Sequence, residues 1–196
     1  MSAWKVEMIQ PTIQLRGIRL RPLRVEDAEA WHGYLSDPLV IEKTSYPVMS
    51  LADVGSMIKR CLAGYAAGTS CTWAITAEDD RLLGTCGFRR LSRAEGVAEL
   101  AYDLARAWWG RGYMSQAVGA CVDWVFGRPE FDRVEAYVVV GNRRSERVLE
   151  RARFSRKALL KAYRTCRGEP RDYSLFSLSR AQWERGRSGR PIGGCG

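Results

Sequence analysis

A chain of 196 residues, 46% of them hydrophobic, is long enough for one well-buried core and gives no sign of needing two. Six cysteines without a Cys-x-x-Cys spacing and a single histidine, His32, leave little for a metal site, so no metal is expected and the thiols read as reduced. The net charge of +9 invites a nucleic-acid reading, but the arginines are scattered and no aromatic interleaving of an RNA-binding type accompanies them, so direct nucleic-acid binding is not expected.

In chain order, Met1 to Thr12 hold no uninterrupted apolar core and carry Glu7, which reads as an N-terminal extension and not a secretory signal. The longest apolar runs, such as Ala136 to Val140, are strand-sized, so no membrane association and a cytoplasmic setting are expected. The pattern predicts a strand over 13–22, helices over 25–35 and 50–67, and strands over 71–77 and 82–91, with Glu78-Asp-Asp80 as the turn between those two strands. A further strand over 134–140, a helix over 143–152 and two strands over 154–164 and 171–178 follow, the last two joined at Arg167-Gly-Glu-Pro170. The predicted class is mixed α/β in one domain, residues 13–185. Gly186 to Gly196, rich in glycine and arginine, reads as a flexible basic tail.

The most informative stretch lies between these elements. From Val97 to Leu104, the residues Ala98, Leu100, Tyr102 and Leu104 alternate with Val97, Glu99, Ala101 and Asp103, a period of two that predicts a strand with Glu99 on its less apolar face. After Gly112, the residues Met114, Ala117, Val118, Cys121, Val122 and Val125 recur at helical spacing, with Cys121 on the core face. Gly110-Arg-Gly112 therefore falls at a helix N-terminus, where unpaired N–H groups and the positive end of the helix dipole favour an anion. Arg106 and Arg111 add charge there. The loop lacks the Lys-Ser/Thr ending of a nucleotide-triphosphatase loop and the third glycine of a dinucleotide fingerprint.

Trp109-Gly-Arg-Gly-Tyr113, with its strand before and helix after, resembles the acetyl-CoA pyrophosphate loop of the GNAT superfamily of N-acetyltransferases, in particular its ribosomal-protein N-terminal acetyltransferase (RimJ/RimL-like) branch. Ile18 to Ala28 resembles the first strand and the start of the first helix of that branch, and Ser36-Asp-Pro38 its following turn. Arg133 to Glu150 resembles the fifth strand, the asparagine and the helix after it, and Tyr163 to Leu178 the closing hairpin. The resemblance implies a GNAT fold with a central, largely antiparallel sheet of about seven strands flanked by helices. It further implies acetyl-CoA as co-substrate, a primary amine as acceptor, and a homodimer as one form of assembly. The acceptor would be a protein N-terminus, such as that of a ribosomal protein, or a small-molecule amine.

Carried onto this chain, the resemblance makes Glu99 the candidate base, directly or through water, or alternatively a strand-face carboxylate paired with an arginine, with Asp103 as a weaker alternative base or a brace of the turn. A base is needed because an α-amine or a lysine is largely protonated at neutral pH. The tyrosine that many GNAT enzymes use as acid is replaced by Leu149, whereas this branch's serine is present as Ser145, the candidate acid, alternatively a serine serving the helix backbone. Asn142 is implied as helix cap, pantetheine contact or both. Tyr102, Leu104, Trp109, Gly110, Arg111, Gly112, Tyr113 and Met114 are the other candidate cofactor-binding residues. Two departures stand out: Ala107 replaces a usual Gln or Arg, which should weaken phosphate binding, and Arg153 replaces a glycine that ends the helix left-handed. Trp31, Tyr34, Tyr46, Tyr163 and Arg164 are candidate acceptor lining, the aromatic residues alternatively part of the core. Two alternatives stay open, a catalytically silent CoA-binding module and a basic ribosome- or RNA-associated protein on the same scaffold.

Overall fold

A computed structural model describes residues 9–42 and 44–188. Eight strands are present among them: β1 (Ile13–Leu15), β2 (Ile18–Pro22), β3 (Cys71–Thr76), β4 (Leu82–Ser92), β5 (Val97–Leu104), β6 (Arg133–Val139), β7 (Ser155–Cys166) and β8 (Glu169–Ser179). The helices are α1 (Ala28–Leu35), α2 (Pro38–Ile41), α3 (Leu51–Ala66), α4 (Tyr113–Phe126), α5 (Arg143–Arg151) and α6 (Arg180–Ser188). The strands form one sheet in the order β1-β2-β3-β4-β5-β6-β8-β7, antiparallel throughout except where β5 meets β6.

Alternation along β3 shows how the sheet serves two cores. Trp73 and Ile75 pack with α4 on one face, while Ala74 packs with α1 and α3 on the other. On the α4 side, Trp73 meets Trp124 edge-on at 4.9 Å between ring centroids. Trp31, Val54 and Ile58 are buried on the opposite side. Each large apolar side chain buried in this way contributes roughly 2–3 kcal/mol. Local chemistry starts the helices where the pattern places them: Ser50 and Asp53 form a reciprocal capping box for α3. Arg21, almost wholly buried, holds Asp27 through two bonds of 2.7 and 2.8 Å and reaches Asp80 at 2.8 Å, tying β2 to the turn before β4.

The structure corrects the sequence reading at four places. The strand expected over 13–22 is a hairpin, because Gly17 takes a left-handed φ of +74° and folds β1 back on β2, giving eight strands and not seven. Pro38, expected in a turn, starts the short helix α2 behind an Asp37 cap. Residues 9–12 of the expected extension are bonded to the sheet, with the Gln10 amide donating to the Thr72 carbonyl at 2.8 Å and the Trp73 indole donating to that of Pro11 at 2.9 Å. Helix α6 occupies residues 180–188, so the first residues of the expected tail are helical. The Arg180 guanidinium, donating to the carbonyls of Phe126, Arg128 and Phe131, joins α6 to the end of α4. Residues 1–8 and 189–196 of the expected extension and tail lie outside the described residues.

One feature of the register creates the site. β5 and β6 pair only from Val97–Arg133 to Leu100–Ala136, although β5 runs on to Leu104 and β6 to Val139. Beyond Leu100, β5 stays bonded to β4 and β6 to β8, so the parallel pair opens as a wedge.

Candidate active site

A cleft of about 450 Å³ fills this wedge. Residues at the N-termini of α4 and α5 line it, together with Leu39, Val40, Thr44, Ser45 and Tyr46. Gly110 and Gly112 both have left-handed φ values, +77° and +78°, which glycine adopts without strain. Gly112 is the N-cap of α4 and has no side chain with which to cap it, so the first-turn N–H groups remain free for an anion. Asn142 caps α5 by accepting the Ser145 N–H on its side-chain oxygen at 3.2 Å, in keeping with the expected cap.

Ten of the eleven candidate site residues line this cleft: Glu99, Tyr102, Leu104, Trp109, Gly110, Gly112, Tyr113, Met114, Asn142 and Ser145. Arg111 does not, because its guanidinium lies over the Trp108 ring at 4.7 Å. Arg106 is also drawn away from the loop, in a 2.6 Å ion pair with Asp37. The cations beside the α4 N-terminus come instead from α5, where Arg144, Arg147 and Arg151 line the cleft and Arg144 stacks on Trp109 at 4.3 Å. Their three- and four-residue spacing was the available signal that these arginines share one helix face.

The Ser145 hydroxyl lies 2.7 Å from the Tyr102 hydroxyl. Burial pushes the Tyr102 phenol well above the ordinary tyrosine range, so it stays protonated as a donor. Leu149, which the resemblance sets in place of the tyrosine acid, is fully buried in the core. Glu99 is nearly buried, and two guanidiniums share its Oε1, Arg89 at 3.1 Å and Arg164 at 3.0 Å. Arg89 reaches it from a β-bulge in β4, where Phe88 pairs with Leu100 and Arg90 with Glu99. No spacing rule in the sequence reveals that bulge.

Asp103 has a different environment. It accepts hydrogen bonds from the hydroxyls of Tyr34, Tyr46 (2.8 Å) and Thr85 (3.0 Å). Burial raises its pKa above the usual carboxylate value against the effect of those bonds. Its partners lie on α1, on β4 and at Tyr46, so Asp103 braces those residues against the sheet and not the turn after β5, where the expected brace was set. Of the candidate acceptor residues, Tyr46 and Arg164 line the cleft, whereas Trp31 is core, Tyr34 is spent on Asp103, and Tyr163 stacks on Tyr137 outside the lining. Arg153 does take the left-handed conformation of the missing glycine, with φ +66°.

A family profile described as acetyltransferase (GNAT) domain matches residues 18–155. The chain belongs to the GNAT acetyltransferase family. The N-acetyltransferase p20 of Bacillus licheniformis is 32% identical over 177 residues, 88% of this chain and 98% of that protein. The [ribosomal protein uS5]-alanine N-acetyltransferase of Escherichia coli strain K12 is 26% identical over 190 residues, 90% of this chain and 96% of that one. Among solved structures, the RimL ribosomal L7/L12 alpha-N-protein acetyltransferase, in complex with coenzyme A, superposes with a TM-score of 0.78 at 18% identity. That match covers 86% of this chain and 98% of the other and shows the shared fold. This GNAT domain is thus an N-acetyltransferase with ribosomal-protein acetyltransferases among its relatives. Its described cysteines, Cys61, Cys71, Cys86, Cys121 and Cys166, are free, and Cys121 is core as expected. No helix among the described residues is long and apolar enough to cross a membrane.

Proposed function

We propose that this GNAT domain transfers the acetyl group of acetyl-CoA directly to the primary amine of an acceptor, with Glu99 taking the proton from the amine and Ser145 donating to the departing thiolate. The observation that carries the reading is the wedge between β5 and β6, which opens between two helix N-termini and holds Glu99 and Ser145 in one cleft. Unpaired strand backbone along the wedge suits the amides of a pantetheine arm. The uncapped α4 N-terminus suits a pyrophosphate, and Arg144, Arg147 and Arg151 supply counter-charge that Arg106 and Arg111 do not. No step needs a metal.

In the transfer, the neutral amine attacks the thioester carbonyl, the carbon–sulfur bond breaks, the amine proton passes to Glu99 directly or through water, and the thiolate is protonated. Both ion pairs of Glu99 fall on Oε1, which leaves Oε2 as the proton-accepting oxygen. When Tyr102 donates to Ser145 Oγ, the serine hydrogen remains for the sulfur. A thiol near pKa 8.5 is an easy leaving group, so the serine contributes less than the base. The acceptor reading keeps a protein N-terminus, such as that of a ribosomal protein, beside small amines, and a cytoplasmic enzyme of one domain is the setting that goes with it.

Steady-state CoA release tests these roles. We expect Glu99→Gln to lower kcat by roughly 100-fold and Ser145→Ala by about tenfold, both with acetyl-CoA binding retained. Unchanged turnover in either variant removes that residue from the reaction.

A further inference from the structure

Charge is distributed unevenly along the cleft, and its acceptor end carries a surplus that acetyl transfer does not use. Five arginines and two carboxylates line the whole cleft. Arg144, Arg147 and Arg151 belong to α5 on the cofactor side, and Asp103 is enclosed by three hydroxyl groups. Arg89, Arg164 and Glu99 remain at the other end. Among the described residues Glu99 is the carboxylate partner of both arginines, and neither has a second. Two cations thus share one anion, leaving one positive charge unmatched.

Both guanidiniums pair with Glu99 before any acceptor arrives, Arg164 more firmly than Arg89. The bulge in β4 directs Arg89 to Glu99, yet that side chain stays 48% exposed. Arg164 lies against the rings of Tyr137, Tyr163 and Tyr173, at 4.9, 5.0 and 5.5 Å from their centroids. A guanidinium fixed in this way presents a fork that matches carboxylate or phosphate oxygens. A diamine or polyamine would meet net repulsion here, and a plain neutral amine would cover Arg89 without compensating its charge.

Building on the acetyl-transfer reading, we propose that the acceptor is a small amine bearing a carboxylate or a phosphate, with the anion seated on Arg89 and Arg164 and the amine beside Glu99. An anion on the two guanidiniums also takes over part of their pairing with Glu99, freeing the carboxylate for the amine proton. The same geometry would thereby recognise the acceptor and prepare the base.

Matched pairs test this on the acetyl-CoA-saturated protein: an amino acid against its amide, phosphoethanolamine against ethanolamine, and a diamine as the cationic control. Affinity is read by calorimetry and turnover by CoA release. We expect at least one anionic member to bind about tenfold or more tightly than its neutral partner, an advantage that falls with added salt and is lost in Arg89→Ala. The pair that shows it distinguishes carboxylate from phosphate. Arg164→Lys, which keeps the charge but loses the fork, should reduce the advantage without abolishing it. Absence of an anionic preference in both pairs, tightest binding of the diamine, or a preference that survives Arg89→Ala overturns the proposal. The melting shift caused by acetyl-CoA, measured on the same samples, separates the two levels: its absence defeats the acetyl-transfer reading, and its presence without an anionic preference defeats only this inference.

Discussion

Arg153 shows how a single residue can hold a motif's geometry against its own preference. Its φ of +66° is the conformation that glycine would adopt after α5, and the bonds from the Arg153 and Phe154 N–H groups back to the Glu150 and Leu149 carbonyls close the helix as a glycine would. A side chain in that region costs about 1–2 kcal/mol. Arg153→Gly should therefore raise stability by about 1 kcal/mol and the melting temperature by about 2–4 °C, checked by thermal unfolding. A lower melting temperature would mean that the packing of Arg153 over Gly186 outweighs the strain. The departure at Arg153 was legible in the sequence, but its outcome was not, because local bonding and backbone strain oppose each other. The same limit applies to Glu99 and Ser145. Strand alternation and helical spacing give the elements on which they sit, β5 and the start of α5, while their partners Arg89, Arg164 and Tyr102 are set by a bulge and by contacts across 10 to 65 residues of sequence.

At the scale of elements, the loop before α4 is the part the sequence specifies most fully. Two glycines with left-handed φ and an uncapped helix follow from Gly110-Arg-Gly112 almost without tertiary information. Gly112→Ala has open space for its methyl group but an unfavourable backbone, so the loop should relax away from its anion-binding form. We expect several-fold weaker acetyl-CoA binding by calorimetry. The arginines beside the loop were harder to place, since Arg106 turns to Asp37 and Arg111 to Trp108. Competing partners decide a flexible side chain's direction, and those partners come from other elements.

The Arg21–Asp27–Asp80 network joins elements in another way. Arg21 is the chief reason that the Asp80 carboxyl is held below the usual carboxylate range. A carboxylate with a depressed folded-state pKa adds stability above its unfolded pKa and loses it as pH falls through the folded value. Asp80→Asn should hence destabilise the protein near pH 7, measured by urea unfolding, and the gap to the parent should shrink as pH drops below about 3.9. Asparagine tolerates the φ of +65° at this turn, so a pH-independent gap would point to packing and not to charge.

For the whole molecule, the order of strands and helices was largely legible because each is short, strongly patterned and bounded by turn residues. The parallel step from β5 to β6 follows from the crossover through α4. The division of the first strand rested on one glycine inside an otherwise continuous pattern. Helix α6 lacked a strong apolar stripe and is held by Arg180 and by the packing of Trp183 on Phe126. The wedge itself was invisible, since a pattern of two shows that strands exist and not where their pairing stops. Part of the net charge of +9 also gains a location, with five arginines along one cleft.

The central claim is that this cleft binds acetyl-CoA, and thermal unfolding with and without the saturating co-substrate tests it most directly. A ligand that binds only the folded state at about 100 times its Kd adds about 2.7 kcal/mol. For a chain of this length that corresponds to a rise of roughly 5–10 °C, which is the result we predict. An unchanged melting temperature would contradict the assignment of the wedge and its two helix N-termini as the co-substrate site.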